Sequence, residues 1–130
     1  MSSPSLMGGC ALVAFAATRD AARAKAFYRD VLGLRLVDED GFALTFDAAG
    51  TTLRVSIVEQ LVPAGYTVLG WQVPDIARAV KTLAARGVVF QRYSFFEQDP
   101  LGVWTAPGGA RVAWFEDPDG NTLSVTERAA

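Results

Sequence analysis

Chemistry in this chain has to be done without histidine, because its 130 residues contain none. Histidine is the commonest transition-metal ligand and the commonest acid–base group near neutral pH, so most metalloenzyme and triad mechanisms are closed. The one cysteine, Cys10, can form neither an internal disulfide nor a multi-cysteine metal knuckle, and nothing beside it would activate a thiolate. Carboxylates, hydroxyls, guanidinium groups and aromatic rings remain. Glu97, Asp99 and Glu116 are the acids nearest the most aromatic stretch of the chain. Burial beside rings would raise a carboxyl pKa and suit it to proton transfer. Exposed turn acids need no function, and that is the preferred reading. The aromatic stretch, Tyr93 to Trp104, sets Tyr93, Phe95, Phe96 and Trp104 among a proline and a glycine. Loops rarely carry so many rings unless they cover something. The segment is therefore expected to be a lid over a ligand, with a contact between two copies as the other reading.

The bulk composition narrows the setting. A hydrophobic fraction of 51% supports a real core, and 20% charged residues argue against disorder. The length suits one domain, taken as residues 1–130. Twelve basic against fourteen acidic residues leave a net charge of −2, scattered along the chain, which does not favour a nucleic-acid partner. Met1 to Gly9 contains no cationic region ahead of an apolar stretch, so no signal peptide is expected. No uncharged apolar run approaches the roughly 18 residues of a membrane span. A cytoplasmic protein follows as the expectation, in keeping with the single cysteine.

The elements that must position these groups are written twice. Asp20-Ala21-Ala22-Arg23-Ala24 is echoed by Asp75-Ile76-Ala77-Arg78-Ala79. Each Asp is placed to cap a helix N-terminus. One helix is expected to run to about Leu32 before Gly33, the other to about Arg86 before Gly87, each glycine suiting a left-handed helix end. A strand precedes each helix, Ala11 to Ala17 and Tyr66 to Val73. Three extended segments follow each: Leu34 to Val37, Phe42 to Asp47 and Thr51 to Val58, then Val88 to Tyr93, Gly109 to Glu116 and Asn121 to Thr126. The last strands match as well, Gly50-Thr51-Thr52-Leu53-Arg54-Val55 agreeing with Gly120-Asn121-Thr122-Leu123-Ser124-Val125 in four of six positions. Repetition of elements, order and boundaries predicts a duplicated βαβββ unit, about 11–59 and 66–127.

Phe27-Tyr28-Arg29-Asp30-Val31-Leu32-Gly33-Leu34 resembles the helix-to-strand segment of the vicinal oxygen chelate superfamily, the glyoxalase, bleomycin-resistance and extradiol-dioxygenase relatives. Phe115-Glu116-Asp117-Pro118-Asp119-Gly120-Asn121 resembles the turn before their last strand. The likeness covers about residues 11–127. It implies an α+β fold: two tandem βαβββ modules forming a curved, half-open mixed sheet with a central cavity. It also implies homodimers. Metal-bearing members take ligands from the first and last strand of each half, seven residues before the capping Asp in the first strand. Those positions hold Val13 and Val68 here, and the last-strand positions hold Arg54 and Ser124. None suits a divalent cation: valine has no donor atom, arginine is permanently cationic, and a neutral serine hydroxyl is weak. No metal and no other cofactor is therefore expected.

With one inward residue set by the family pattern, period-two alternation turns Val13 and Phe15, Arg54, Tyr66 and Val68, and Ser124 toward the hollow. Ala16 and Trp71 take the opposite parity and should pack beneath the helices, while Trp114 could join either surface. The candidate ligand-binding set is Val13, Phe15, Arg54, Tyr66, Val68, Trp104, Trp114 and Ser124, with no catalytic residue assigned. Arg54 could clamp a carboxylate, phosphate or enolate oxygen, or it could snorkel to water or pair with Asp47 or Glu59. Phe15 and Tyr66 could stack on a planar ligand or simply fill space. The expected function is metal-free binding of a small organic molecule, planar, partly apolar and possibly anionic, without nucleic-acid or membrane partners. The alternatives are a metal-independent lyase or isomerase using Arg54 as oxyanion stabiliser, an enzyme with a relocated metal site, or an accessory domain that binds protein.

Overall fold

The computed structural model describes residues 6–130, so the first five residues of the stretch read for a signal peptide lie outside it. The first module runs β1 (Val13–Thr18), α1 (Ala21–Lys25), β2 (Arg35–Glu39), β3 (Ala43–Ala48) and β4 (Thr51–Ile57). The second runs β5 (Thr67–Gln72), α2 (Ile76–Ala85), β6 (Trp104–Thr105), β7 (Arg111–Glu116) and β8 (Thr122–Glu127). Each forms a four-stranded mixed sheet with the same connectivity, β1-β4-β3-β2 and β5-β8-β7-β6. In each, the first strand lies parallel to the last and the remaining pairs are antiparallel. The first strands, β1 and β5, adjoin at the seam between the modules.

Both helices start where the two aspartates place them. Asp20 accepts from the Arg23 amide and Asp75 from the Arg78 amide, each at 3.1 Å. The second helix gains a further partner, because Glu127 Oε1 accepts the Ile76 amide at 2.9 Å. It ends in a Schellman motif around Gly87, whose φ is 96°. The Gly87 amide reaches the Ala84 carbonyl and the Val88 amide reaches the Leu83 carbonyl.

The first helix departs from a simple α-helix. After Lys25 it widens into a π-helical segment, Ala26–Val31, closed by a bond from the Leu32 amide to the Phe27 carbonyl. The wider turn brings Phe27 and Tyr28 onto the core side together, Phe27 against Phe115 and Tyr28 against Phe46. The core is one continuous cluster drawing on both modules, with Leu44, Phe46, Leu53 and Val55 from one sheet and Phe115, Leu123 and Val125 from the other.

The stretch Val88–Tyr93 does not become the expected strand. It touches β7 only through a single bridge, Phe90 to Phe115, and the Gln91 amide donating to the Trp114 carbonyl. The chain then leaves the sheet for the aromatic excursion, and the edge strand comes from Trp104–Thr105 instead. The Gln91 carbonyl is taken up by the Gln98 side chain rather than by a ladder partner. Cys10 is exposed.

Candidate functional site

Alternation along the strands decides which side chains share the face opposite the core. In β4, Leu53 and Val55 are buried among the core residues, so Thr52, Arg54 and Ser56 point to the open face. Cross-strand register lines up Asp38, Thr45, Arg54 and Phe15 in one row across the first sheet. The matching row of the second sheet is Gly70, Ser124 and Trp114. Trp104 pairs with Val112 on the same face, so both tryptophans stand on the open side. Ala16 and Trp71 pack against the core, as their opposite parity requires.

Arg54 is half-buried between Phe15 and Thr45 and makes no ion pair among the described residues. Pairing with Asp47 is not realised, because Asp47 lies 3.8 Å from Arg35. The Asp40 carboxyl sits below its ordinary range, mainly because the Phe42 and Ala43 amides donate to it, with the Arg54 charge adding to the effect. A guanidinium on a partly dry face with its donors uncommitted is suited to grip a carboxylate or another oxyanion.

The sequence-derived site residues are not all brought together. Val13 and Phe15 stand on the open face, Phe15 with 59% of its surface exposed. Val68 falls at a register shift between Thr67 and Leu69, packs against the core and also lines a hollow at the seam. That hollow, about 370 Å³, is lined by Phe15, Ala17 and Ser56 from the first module and closed by Leu61, Val62 and Ala64 of the connector. Tyr66 precedes β5, is 71% exposed and does not line this hollow. Ser124 is buried beside Gly70, where an added Cβ would lie 2.9 Å from the serine Oγ.

The excursion 93–104 folds onto the open face of the second sheet. Its base is a polar frame. Gln98 accepts from the Tyr93 amide and donates to the Gln91 and Gly102 carbonyls. Asp99 accepts from the Leu101 and Val103 amides, and Arg92 donates to the Gln98 and Pro100 carbonyls. Its tip is aromatic. Phe96 lies parallel to Trp114, centroids 5.2 Å apart and planes within 5°, and 4.4 Å from Trp104. Tyr93 meets Trp114 edge-on at 5.5 Å. Each such pair stabilises by about 0.5–1.5 kcal/mol beyond burial. Burial and the nearby Glu116 hold the Tyr93 phenol above its usual pKa. Glu97 and Glu116 are exposed, and Asp99 is occupied by the frame.

A polar knot at the seam fixes the two sheets against each other. Tyr28 donates to Asp117 at 2.6 Å, Asn121 donates to Asp117 and to the Ala17 carbonyl, and Thr18 and the Arg19 amide donate to Asp119. The Asp-Pro-Asp-Gly-Asn turn thus serves as a clasp across the modules as well as a reversal between β7 and β8.

Residues 11–125 match the family model described as the Glyoxalase/Bleomycin resistance protein/Dioxygenase superfamily. The chain belongs to this superfamily. A member of the glyoxalase/bleomycin resistance protein/dioxygenase superfamily from Sphaerobacter thermophilus DSM 20745 is 29% identical, with a TM-score of 0.73 over 95% of this chain and 100% of that one. TnmS3, an antibiotic binding protein from Streptomyces sp. CB03234, shares the fold at 22% identity and a TM-score of 0.71, covering 92% and 96% of the two chains. Lactoylglutathione lyase from Agrobacterium tumefaciens shares it at 19% identity and a TM-score of 0.70, covering 91% and 92%. No curated protein matches the chain.

In this glyoxalase-superfamily chain, Val13, Arg54, Val68 and Ser124, which the sequence resemblance sets at metal-ligand positions, offer no donor set suited to a divalent cation. Among the described residues no three His, Cys, Asp or Glu side chains are grouped so that they could hold a metal ion. Among the same residues no helix is long and apolar enough to cross a membrane. Sequence reasoning missed Phe96 as the ring on the indoles, and it missed Gln98 and the Tyr28–Asp117 bond. Only the crowding of aromatics around residue 96 gave a signal for any of these.

Proposed function

We propose that the open face holds a planar, partly apolar organic anion without the help of a metal ion, as a binding protein rather than a catalyst. The observation that carries this is Arg54, a half-buried guanidinium without an ion pair among the described residues, turned away from the core on the first sheet as Trp104 and Trp114 are on the second. Apolar burial against rings would supply affinity, and the guanidinium would supply orientation and preference for an oxyanion. The antibiotic-binding relative with the same fold is in keeping with this reading. An oxyanion role for Arg54 in a lyase or isomerase would need a proton-moving group. Glu97 and Glu116 are exposed and Asp99 is bound to its own loop, so none of these three acids favours that alternative. The reading includes a cytoplasmic homodimer.

Calorimetric titration with naphthoate, a planar aromatic carboxylate, tests the proposal. Wild-type protein stripped by chelator should bind it, Arg54→Ala should bind at least tenfold more weakly, and Arg54→Lys should fall between. That tenfold corresponds to about 1.4 kcal/mol. Equal affinity in wild type and Arg54→Ala removes the guanidinium from the site, and binding only after addition of a divalent metal overturns the metal-free reading.

A further inference from the structure

We propose that Phe96 is a built-in stand-in for the ligand, occupying the aromatic shelf of Trp104 and Trp114 until an incoming planar ring displaces it. The proposal rests on the binding reading above and names what selects the ligand: a flat aromatic ring able to replace the phenyl group.

Three observations converge on this. The first is stacking geometry. Phe96 is parallel to Trp114 within 5° and close to Trp104 at 4.4 Å, while the two indoles are themselves 6.0 Å apart. One phenyl ring therefore covers two indoles, in the offset arrangement that a free aromatic molecule would adopt. The second is the contrast within the excursion. Residues 98–103 are pinned by the Gln98, Asp99 and Arg92 hydrogen bonds. The tip has one backbone bond of its own, from the Phe96 amide to the Tyr93 carbonyl at 3.1 Å, and is otherwise held by rings. A tip on a rigid base can lift without unravelling the module. The third is exposure. Phe95, beside the plug, is 74% exposed, so the tip does not continue into a core that would resist its movement.

A ligand that must first expel a resident ring binds with its intrinsic affinity reduced by the fraction of protein already open. The plug thus lowers the affinity of a flat ring that takes the shelf, whereas a ligand unable to stack there binds beside Phe96 without displacing it and does not meet this cost.

The test is calorimetric titration of wild type, Phe96→Ala, Phe96→Leu and Arg54→Ala with naphthoate, and with cyclohexanecarboxylate as the non-planar control. Both Phe96 variants should bind naphthoate about tenfold more tightly than wild type, with less than a twofold change for the control. Unchanged or weaker naphthoate binding in both makes Phe96 part of the wall and overturns the plug. If Arg54→Ala weakens binding and neither Phe96 variant tightens it, the plug is wrong and the binding reading stands. If no form of the protein binds naphthoate, both fail. Hydrogen exchange on the wild type supplies a check free of mutation. Saturating naphthoate should speed exchange at the Phe96 amide and leave the Leu101 and Val103 amides unchanged, whereas slower exchange at Phe96 overturns the proposal.

Discussion

The Tyr28 hydroxyl, on the π-helical turn of the first module, donates to the buried carboxylate of Asp117 in the last turn of the second, 2.6 Å away. Asp117 also accepts from Asn121 Nδ2 and from the Asp119 and Asn121 amides, so one carboxylate gathers four donors at the seam. Tyr28→Phe should cost about 1–2 kcal/mol, since three donors remain. Asp117→Ala should cost at least about 3 kcal/mol, because it strands buried donors from both modules. Urea unfolding followed by circular dichroism measures both, and equal losses for the two variants would contradict the hub role of Asp117.

The same bond predicts a response to alkali. Burial first, then the Asp117 and Asp119 charges, push the Tyr28 phenol far above its ordinary value of 10.0. The raised folded pKa means that the unfolded chain loses this proton first. The contribution is intact below about pH 10 and declines above it by about 1.4 kcal/mol per pH unit. Urea midpoints should therefore fall between pH 10 and 11.5 in wild type and fall less steeply in Tyr28→Phe. Identical slopes would show that Tyr28 ionises freely in the folded protein.

Gln98→Ala should loosen the aromatic excursion without unfolding the core. It deletes three hydrogen bonds that tie residues 91, 93 and 102 together, about 3 kcal/mol if each is worth the usual net amount. Near-ultraviolet circular dichroism, dominated here by the stacked indoles, should lose intensity while the far-ultraviolet signal stays. A full near-ultraviolet spectrum would mean that ring stacking alone holds the segment.

Gly70 keeps the open face clear above Ser124. A Cβ there would meet Ser124 Oγ at 2.9 Å, a clash that rotation of the hydroxyl relieves. Gly70→Val should cost under about 1 kcal/mol, since β-branched residues suit strands. It should weaken naphthoate binding about tenfold by filling the open face above Ser124. Unaltered binding would put the ligand elsewhere on the face.

Much of the frame was legible in the sequence because it rests on local rules. Asp20 and Asp75 cap helices for the same reason that they repeat, and the glycines at 33 and 87 take positive φ as helix ends demand. Alternation placed Arg54 opposite Leu53 and Val55 because β4 is regular. It was less informative where strands are irregular. The register shift around Val68 involves β8, a partner far along the chain, and the stretch 88–93 meets the Gln98 side chain only because the excursion folds back on itself. Trp114 could be assigned to the open face only once Ala113 and Phe115 were seen in the core. The π-helical turn that aims Tyr28 at Asp117 leaves no mark in a helical hydrophobic pattern.

The most direct test of the central claim is a crystal structure of the protein grown with naphthoate, with data collected for anomalous scattering from transition metals. The carboxylate should sit against the Arg54 guanidinium, the rings should lie over Trp114 or beside Phe15, and no anomalous peak should appear near Val13, Val68 or Ser124. The claim is contradicted by a metal ion at those residues. It is equally contradicted by naphthoate bound only in the apolar cavity of about 340 Å³ on the helix side, lined by Trp71, Leu83 and Phe115, with the face around Arg54 filled by solvent.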